Sequence, residues 1–184
     1  MARTPSRMVE LQTQAPPFTL PDTITGNNIS YNDIKGAVAT VVMFICNHCP
    51  FVVHVNSELV KLANDYKDKE VGFVAISAND VITHPDDGPE EMKRIARQLQ
   101  YPFSYCYDES QETAKVYGAE CTPDFFIYDK NNKLVYRGQL DDSRPGNDIL
   151  VTGKDVRHAL DCLINEEHIP GLQRPSIGCN IKWK

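Results

Sequence analysis

The stretch AVATVVMFICNHCPF, residues 37–51, decides the fold. Its first nine residues are continuously apolar and rich in β-branched side chains, which is typical of a strand buried on both faces, as in a parallel sheet. The residues that follow predict a helix with one apolar face, because apolar side chains recur at spacings of three and four: Val52, Val55, Leu59, Leu62 and Tyr66. Cys46 and Cys49 therefore stand where a buried strand passes into a helix.

The same alternation continues on both sides of this stretch. Residues 15–36, APPFTLPDTITGNNISYNDIKG, combine prolines with glycine-bearing turns and predict extended segments with a small hairpin. VGFVAIS, residues 71–77, predicts a second buried strand. The apolar spacing within 92–99 predicts a second helix, and residues 111–118 predict a short one that ends at glycine.

The second half of the chain predicts a hairpin and a last helix. FFIYD, residues 125–129, and LVYRGQL, residues 134–140, flank an Asn-Asn turn. Val156, Leu160 and Leu163 mark the helix. Strands that alternate with helices and then give way to a hairpin predict an α/β sandwich with a mixed sheet. We expect residues 1–184 to form a single domain, since the length suits one core and no linker interrupts the pattern.

Composition narrows the classes of function. The net charge of −6 argues against nucleic acid or an anionic membrane as a partner, since both select basic surfaces. No apolar run approaches the roughly 20 residues of a membrane-spanning helix. The opening MARTPSRMVELQTQ carries arginines without the apolar core of a secretory signal, so we expect a cytoplasmic protein. Most of the six cysteines are then expected to be reduced thiols.

The spacing of Cys46 and Cys49 suits a dithiol that forms and breaks a disulfide. A helix N-terminus presents unpaired N–H groups and the positive end of the helix dipole, and both favour a thiolate over a thiol. With two residues between them, both sulfurs are expected within disulfide reach on the first turn of the helix. His48 adds a positive charge nearby when it is protonated. The thiolate is the attacking species in disulfide exchange, so the pattern indicates a redox site.

Three other interpretations of the cysteine pair remain open. A structural zinc site would need a second pair of ligands at similar spacing, and the sequence has none. A metal carrier could use Cys46, Cys49 and a distant histidine. Finally, the two cysteines could be inert thiols packed in the core.

Thr122 and Pro123 make the pattern specific. They precede a predicted strand, where a proline removes no ladder hydrogen bond. A buried strand, a CxxC motif, a helix and a later Thr-Pro that opens a strand together resemble the thioredoxin fold. The resemblance implies a three-layer α/β/α sandwich with a mixed central sheet, and a loop with a cis proline that lies against the redox cysteines. Thr122 and Pro123 would then face Cys46.

The chain also resembles the peroxiredoxin branch of this superfamily, the AhpC/TSA-related proteins. The N-terminal segment 15–36 is similar to the opening of that branch, which implies a β-hairpin extension in front of the sandwich. YRGQLDDSRPG, residues 136–146, and RPSIGCNIKWK, residues 174–184, are similar to a bacterial peroxiredoxin-like subgroup that carries CxxC. The likeness spans nearly the whole chain.

The two resemblances assign the cysteines opposite roles. The thioredoxin pattern, which we favour, makes Cys46 the exposed nucleophile and Cys49 the resolving thiol. The peroxiredoxin pattern makes Cys49 the thiol that a peroxide oxidises, with Cys46 resolving it. Two parts of the peroxide pocket are replaced, because Val42 and Cys46 stand where that family has proline and threonine. His48 before the second cysteine is similar to disulfide isomerases and periplasmic oxidases, which implies a more oxidising disulfide.

The resemblance implies an antioxidant or thiol–disulfide oxidoreductase that needs no metal and no organic cofactor. Its substrate would be a disulfide or a peroxide, on a protein or a small molecule. A reducing partner, such as thioredoxin or a low-molecular-weight thiol, would return the disulfide to the dithiol. Whether the chain forms a homodimer is left open. Cys121 could approach the pair or pack as a buried thiol. Cys179 could also pack in the core, or it could resolve an oxidised thiol, as the resemblance to peroxiredoxins with a C-terminal cysteine implies. The acidic run 85–91 is expected to be a helix entrance.

Overall fold

The structure, a computed structural model, describes residues 3–169 and 171–184. Its strands, in chain order, are β1 (Thr4–Pro5), β2 (Thr19–Pro21), β3 (Asn28–Ser30), β4 (Ala39–Phe44), β5 (Val71–Ser77), β6 (Ser104–Tyr107), β7 (Cys121–Thr122), β8 (Asp124–Asp129), β9 (Leu134–Gly138) and β10 (Ile177–Asn180). Its α-helices are α1 (Tyr31–Ile34), α2 (Pro50–Tyr66), α3 (Pro89–Gln98), α4 (Glu112–Tyr117) and α5 (Lys154–Ile164). Short 3-10 turns span Lys67–Lys69 and Pro85–Asp87.

Five strands form a mixed central sheet in the order β6-β5-β4-β8-β9. β4 runs parallel to β5, with Val41 beside Phe73, because helix α2 carries the chain back across the sheet between them. β4 runs antiparallel to β8, with Met43 opposite Phe125, and β8 turns directly into β9 as a hairpin. The central position of β4 explains why every one of its residues is buried.

The sheet is the middle of three layers. Successive side chains of β4 point to opposite faces, so Val41 and Met43 enter one core and Val42 and Phe44 enter the other. The first core also takes buried side chains from α2, α3 and α5, and the second takes them from α1 and α4. This arrangement confirms the predicted thioredoxin-like α/β/α sandwich.

The elements with strong periodicity lie where the sequence predicts them. β4, β5, the hairpin β8–β9 and the helices α2, α4 and α5 fall within one or two residues of the predicted positions, and α3 begins three residues earlier than predicted. The N-terminal hairpin is present as the antiparallel pair β2 and β3. None of the helices in the described ranges has the length and apolar character needed to cross a membrane.

A small second sheet was not predicted. Its order is β1-β10-β7, so the C-terminal strand β10 lies between the N-terminal strand and the strand that ends at Thr122. β1 and β7 have only two residues each, which is too short to leave a periodic signal. Their pairing joins segments that are far apart in the chain, and only the tertiary structure provides it.

A buried ion pair supports the strand that begins after Pro123. The guanidinium of Arg137 on β9 bonds both carboxylate oxygens of Asp124 on β8, and both side chains are fully buried. The guanidinium carbon of Arg137 also lies 3.9 Å from the ring centroid of Phe126. A buried charge that loses its partner is costly, because neither water nor another group compensates it.

We predict that Asp124→Asn lowers the free energy of unfolding by about 3–5 kcal/mol, since it leaves the Arg137 charge buried and uncompensated. The control is Glu91→Gln, which removes the exposed partner of Arg94 on α3 and should cost about 1 kcal/mol or less. Urea denaturation measures both. Equal losses for the two variants would contradict the structural role of the buried pair.

Candidate functional site

Cys49 caps helix α2, and Cys46 lies in the turn before it. The helix begins at Pro50, a first-turn position where a missing N–H costs nothing. The carbonyl of Cys49 accepts hydrogen bonds from the amides of Val52 and Val53, both at 2.9 Å. The expectation that both cysteines lie on the first helical turn is therefore wrong, because the proline starts the helix after the second cysteine.

Thr122 contacts both sulfurs. Its hydroxyl oxygen lies 3.3 Å from the Sγ of Cys46, and its carbonyl oxygen lies 3.1 Å from the Sγ of Cys49. The peptide bond between Thr122 and Pro123 is cis. The fold thus brings together the two cysteines and the Thr-Pro pair, which are more than 70 residues apart in the chain.

Both cysteines are buried. Cys46 is 1% exposed and Cys49 is fully covered. The expectation of an exposed Cys46 is wrong, because the loop that carries it is held against the protein by a buried acidic side chain described below. The surroundings of the pair are nevertheless polar, since Thr122 offers a hydroxyl and a carbonyl to the sulfurs.

The surroundings of the two thiols shift their pKa values in opposite directions. A hydrogen bond from the Cys46 thiol lowers the pKa of Cys49 to about 5, and hydrogen bonds from Cys179 and Thr122 add to this effect while burial opposes it. The same Cys46–Cys49 hydrogen bond, burial and the nearby Asp87 carboxylate raise the pKa of Cys46 well above its usual range. The two pKa shifts have opposite directions, so Cys49 is the more acidic thiol of the pair.

Asp87 anchors the loop between the cysteines. Its carboxylate is fully buried and accepts hydrogen bonds from the amides of Asn47 and His48, at 2.8 and 3.2 Å. The other oxygen lies 2.5 Å from the Nδ1 of His48 and accepts from the side chain of Asn79 at 2.7 Å. The His48 ring, partly exposed, stacks on His84 with 5.1 Å between the ring centroids.

Sequence reasoning missed this role of Asp87. Pro89 does begin helix α3, as the predicted helix entrance requires, and Asp86 is exposed. Asp87, in contrast, points into the protein and meets residues about 40 positions earlier in the chain. Two adjacent aspartates in a turn carry no signal that tells which one is buried, so the contact was not predictable locally.

Cys46, His48 and Asp87 also form a candidate metal cluster. Their ligand atoms lie within 4.8 Å of one another. Among the residues that the structure describes, this is the group of three whose side chains could hold a metal ion. A carboxylate offers about four acceptor positions. The two oxygens of Asp87 already accept four hydrogen bonds, two of them from backbone amides. The geometry favours a hydrogen-bonded support for the loop over an ion-binding site.

The other cysteines divide into one near the pair and three elsewhere. Cys179 on β10 pairs with Thr122 and hydrogen-bonds to Cys49, and burial raises its pKa to about 12. Cys121 lies next to the site on β7, but its sulfur points to the carbonyl of Pro123, 3.7 Å away. Cys106 and Cys162 are buried on β6 and α5.

Comparison with known proteins supports the family and the fold. A model of the AhpC/TSA family matches residues 11–137. A crystal structure of an uncharacterized conserved protein from Geobacillus kaustophilus is 58% identical, with a TM-score of 0.98, over 100% of this chain and 97% of that one. The thioredoxin domain of a thiol-disulfide oxidoreductase from Bacteroides vulgatus shares the fold at 23% identity and a TM-score of 0.59, over 71% of this chain and 91% of that one.

A curated relative is similar over most of its length. Thiol-disulfide oxidoreductase ResA from Bacillus thuringiensis subsp. konkukian (strain 97-27) is 26% identical over 134 residues, which are 72% of this chain and 71% of that protein. The similarity therefore spans both partners well beyond the segment around the two cysteines.

We predict that Asp87→Ala lowers the free energy of unfolding by about 1–3 kcal/mol, because it leaves buried donors without an acceptor. Amide exchange at Asn47 and His48 should also accelerate, since both amides lose their acceptor. Asp86→Ala is the matched control, as its side chain is exposed. Hydrogen exchange followed by NMR measures the effect, and unchanged exchange in the Asp87 variant would contradict it.

We predict that ultraviolet titration of the reduced protein detects one thiolate with a midpoint near pH 5, which is lost as the pH falls below that value. Cys46→Ala should move the midpoint upward, because it removes the thiol that donates to the Cys49 sulfur. Cys49→Ser should abolish the transition. A thiolate that still titrates near pH 5 in Cys49→Ser would show that the charge resides on another sulfur.

Proposed function

This chain belongs to the AhpC/TSA family, and on that premise we propose that it is a thiol–disulfide oxidoreductase whose redox couple is Cys46 and Cys49. The observation that carries the proposal is the joint contact of both sulfurs with Thr122, next to the cis bond to Pro123. The relative ResA is named as a thiol-disulfide oxidoreductase, which is an activity of the same kind.

Cys46 is the nucleophile in this proposal. Its sulfur lies beside His48, whose side chain is 26% exposed, whereas Cys49 is fully covered. We therefore expect a substrate to approach from the side of His48 and to reach Cys46 first. Because Cys46 itself is 1% exposed, a substrate reaches it only after the loop moves away from Asp87 or the neighbouring side chains shift.

The first attack requires that Cys46 lose its proton. When Cys49 is deprotonated it accepts that proton through their hydrogen bond, against the direction of the two pKa shifts, and Cys46 becomes the attacking thiolate. Cys46 forms a bond to one sulfur of the substrate disulfide, and the other leaves as a thiolate that takes a proton. Cys49 then loses its proton, attacks Cys46 and releases the second substrate thiol. Two electrons pass from the dithiol to the substrate.

The hydroxyl of Thr122 and the support from Asp87 have separate parts in this reaction. The hydroxyl can donate a hydrogen bond to Cys46 while that sulfur carries the charge. Asp87 fixes the backbone of Asn47 and His48, and so fixes the separation of the two cysteines. A reducing partner, such as thioredoxin or a low-molecular-weight thiol, restores the dithiol.

A thiol peroxidase is the second candidate, because the lowered pKa of Cys49 suits attack on a peroxide. In that reaction the Cys49 thiolate displaces water or an alcohol from the peroxide and becomes a sulfenic acid. Cys46 then condenses with it, a second water molecule leaves, and the Cys46–Cys49 disulfide forms. The replacement of the family's proline and threonine by Val42 and Cys46 argues against this route.

We predict that the wild type reduces insulin with dithiothreitol as the electron donor, and that Cys46→Ser and Cys49→Ser fall to the background rate, because each lacks half of the couple. Cys162→Ser on α5 is the control and should keep its activity. Peroxide consumption is measured on the same samples. Rapid peroxide turnover without insulin reduction would favour the peroxidase.

Trapping separates the roles of the two sulfurs. We expect Cys49→Ser to accumulate a mixed disulfide with substrate on Cys46, because the resolving thiol is absent. Mass spectrometry identifies the modified residue. If Cys46→Ser instead traps substrate on Cys49, and Cys49→Ser traps none, then Cys49 is the nucleophile and the assignment above is reversed.

A further inference from the structure

A third sulfur lies against the redox couple. Cys179 on β10 stands opposite Thr122 in the antiparallel pair with β7. Its thiol and its backbone amide both hydrogen-bond to the sulfur of Cys49. Cys46, Cys49 and Cys179 belong to the same buried cluster, and Cys179 is 2% exposed. Cys49 therefore has a thiol neighbour on each side.

The approach of β10 depends on Gly178. A Cβ at this position would collide with the carbonyl of Thr122, so only glycine allows the strand to lie this close. The same carbonyl lies 3.1 Å from the sulfur of Cys49. The glycine next to Cys179 therefore sets the distance between β10 and the redox pair.

We propose that Cys179 is a third redox thiol, which exchanges with the Cys46–Cys49 disulfide to form a Cys49–Cys179 disulfide. The proposal rests on the proposed function, because it requires that the Cys46–Cys49 disulfide forms. Cys179 loses its proton and attacks the sulfur of Cys49. The Cys46–Cys49 bond breaks, Cys46 leaves as a thiolate, and Cys46 takes up the proton. No electrons enter or leave, so no further oxidant is needed.

The geometry selects Cys49 and Cys179 rather than the other nearby cysteine. Cys121 is adjacent to Thr122 in the chain, but neighbouring side chains of a strand point to opposite faces. Its sulfur is directed to the carbonyl of Pro123, whereas Thr122 faces the couple. Cys121 therefore provides a control thiol that is adjacent to Thr122 in the chain but lies on the opposite face of the strand.

The exchange gives the oxidised protein two forms. In one, the disulfide joins the two cysteines of the CxxC motif. In the other, it joins helix α2 to strand β10 and leaves Cys46 as a thiol. In the second form the disulfide does not include Cys46, the sulfur that meets the substrate. A reductant that attacks at Cys46 therefore does not reduce the Cys49–Cys179 disulfide directly.

The test is disulfide mapping after oxidation of the folded protein with diamide, acid quenching and alkylation. Trypsin leaves Cys46 and Cys49 together in peptide 36–61. A second digestion with a glutamate-specific protease cleaves after Glu167 and separates Cys162 from Cys179. In the wild type we expect an internal link within 36–61 and a second species in which that peptide is joined to the one that carries Cys179. Cys121→Ser should give the same two species.

Two variants isolate the new bond. On oxidation, Cys46→Ser should lose two alkylatable thiols and carry only the Cys49–Cys179 disulfide. The double variant Cys46→Ser/Cys179→Ser should form no such disulfide. Gly178→Ala, checked for folding by circular dichroism, should keep the internal link and lose the Cys49–Cys179 species, since β10 is pushed away. Wild type with the internal link only, together with Cys46→Ser that forms no link to Cys179, would overturn the proposal.

The two levels of inference fail in different ways. If the wild type forms no Cys46–Cys49 disulfide under any oxidising condition, the proposed function is wrong. If that disulfide forms and Cys179 stays alkylatable in both the wild type and Cys46→Ser, the proposed function stands and the role of Cys179 is wrong.

Discussion

The contact between Thr122 and the two sulfurs is the constraint on which the site depends. One residue offers its hydroxyl to Cys46 and its carbonyl to Cys49, and both contacts require β7 to lie against the start of helix α2. β7 has only two residues, so it needs its neighbours to stay in place. β10 pairs with it on one side, and the buried Arg137–Asp124 pair holds the strand that follows.

The same constraint accounts for the chemistry of the couple. Burial alone would raise the pKa of every thiol in the site. The hydrogen bonds to Cys49 reverse that effect for one sulfur, whereas the pKa of Cys46 stays raised. Asp87 keeps the intervening loop in the conformation that permits the hydrogen bond between Cys46 and Cys49. Acidity, burial and loop geometry are therefore parts of one arrangement, and a change in one alters the others.

Local patterns in the sequence were sufficient for the central sheet and the helices that cover it. The apolar run at 37–45 and the helical spacing after it predicted β4 and α2, because both elements bury a face that must be apolar. The CxxC motif and Thr122-Pro123 identified residues that the structure brings into contact. The sequence did not indicate Asp87, and it left open whether Cys179 packs in the core or meets the redox pair. Each acts through a contact with residues far away in the chain, and neither departs from an ordinary turn or strand residue locally.

The sequence by itself determined the order of the elements, the buried strand at the centre of the sheet and the position of Cys49 next to a helix N-terminus. These follow from the periodicity of the apolar residues. Only the tertiary structure decided that both cysteines are buried, which sulfur has the lower pKa, and that Cys179 adjoins Cys49. Burial and hydrogen bonding depend on which distant segments meet, and the amino-acid pattern of one segment does not contain that information.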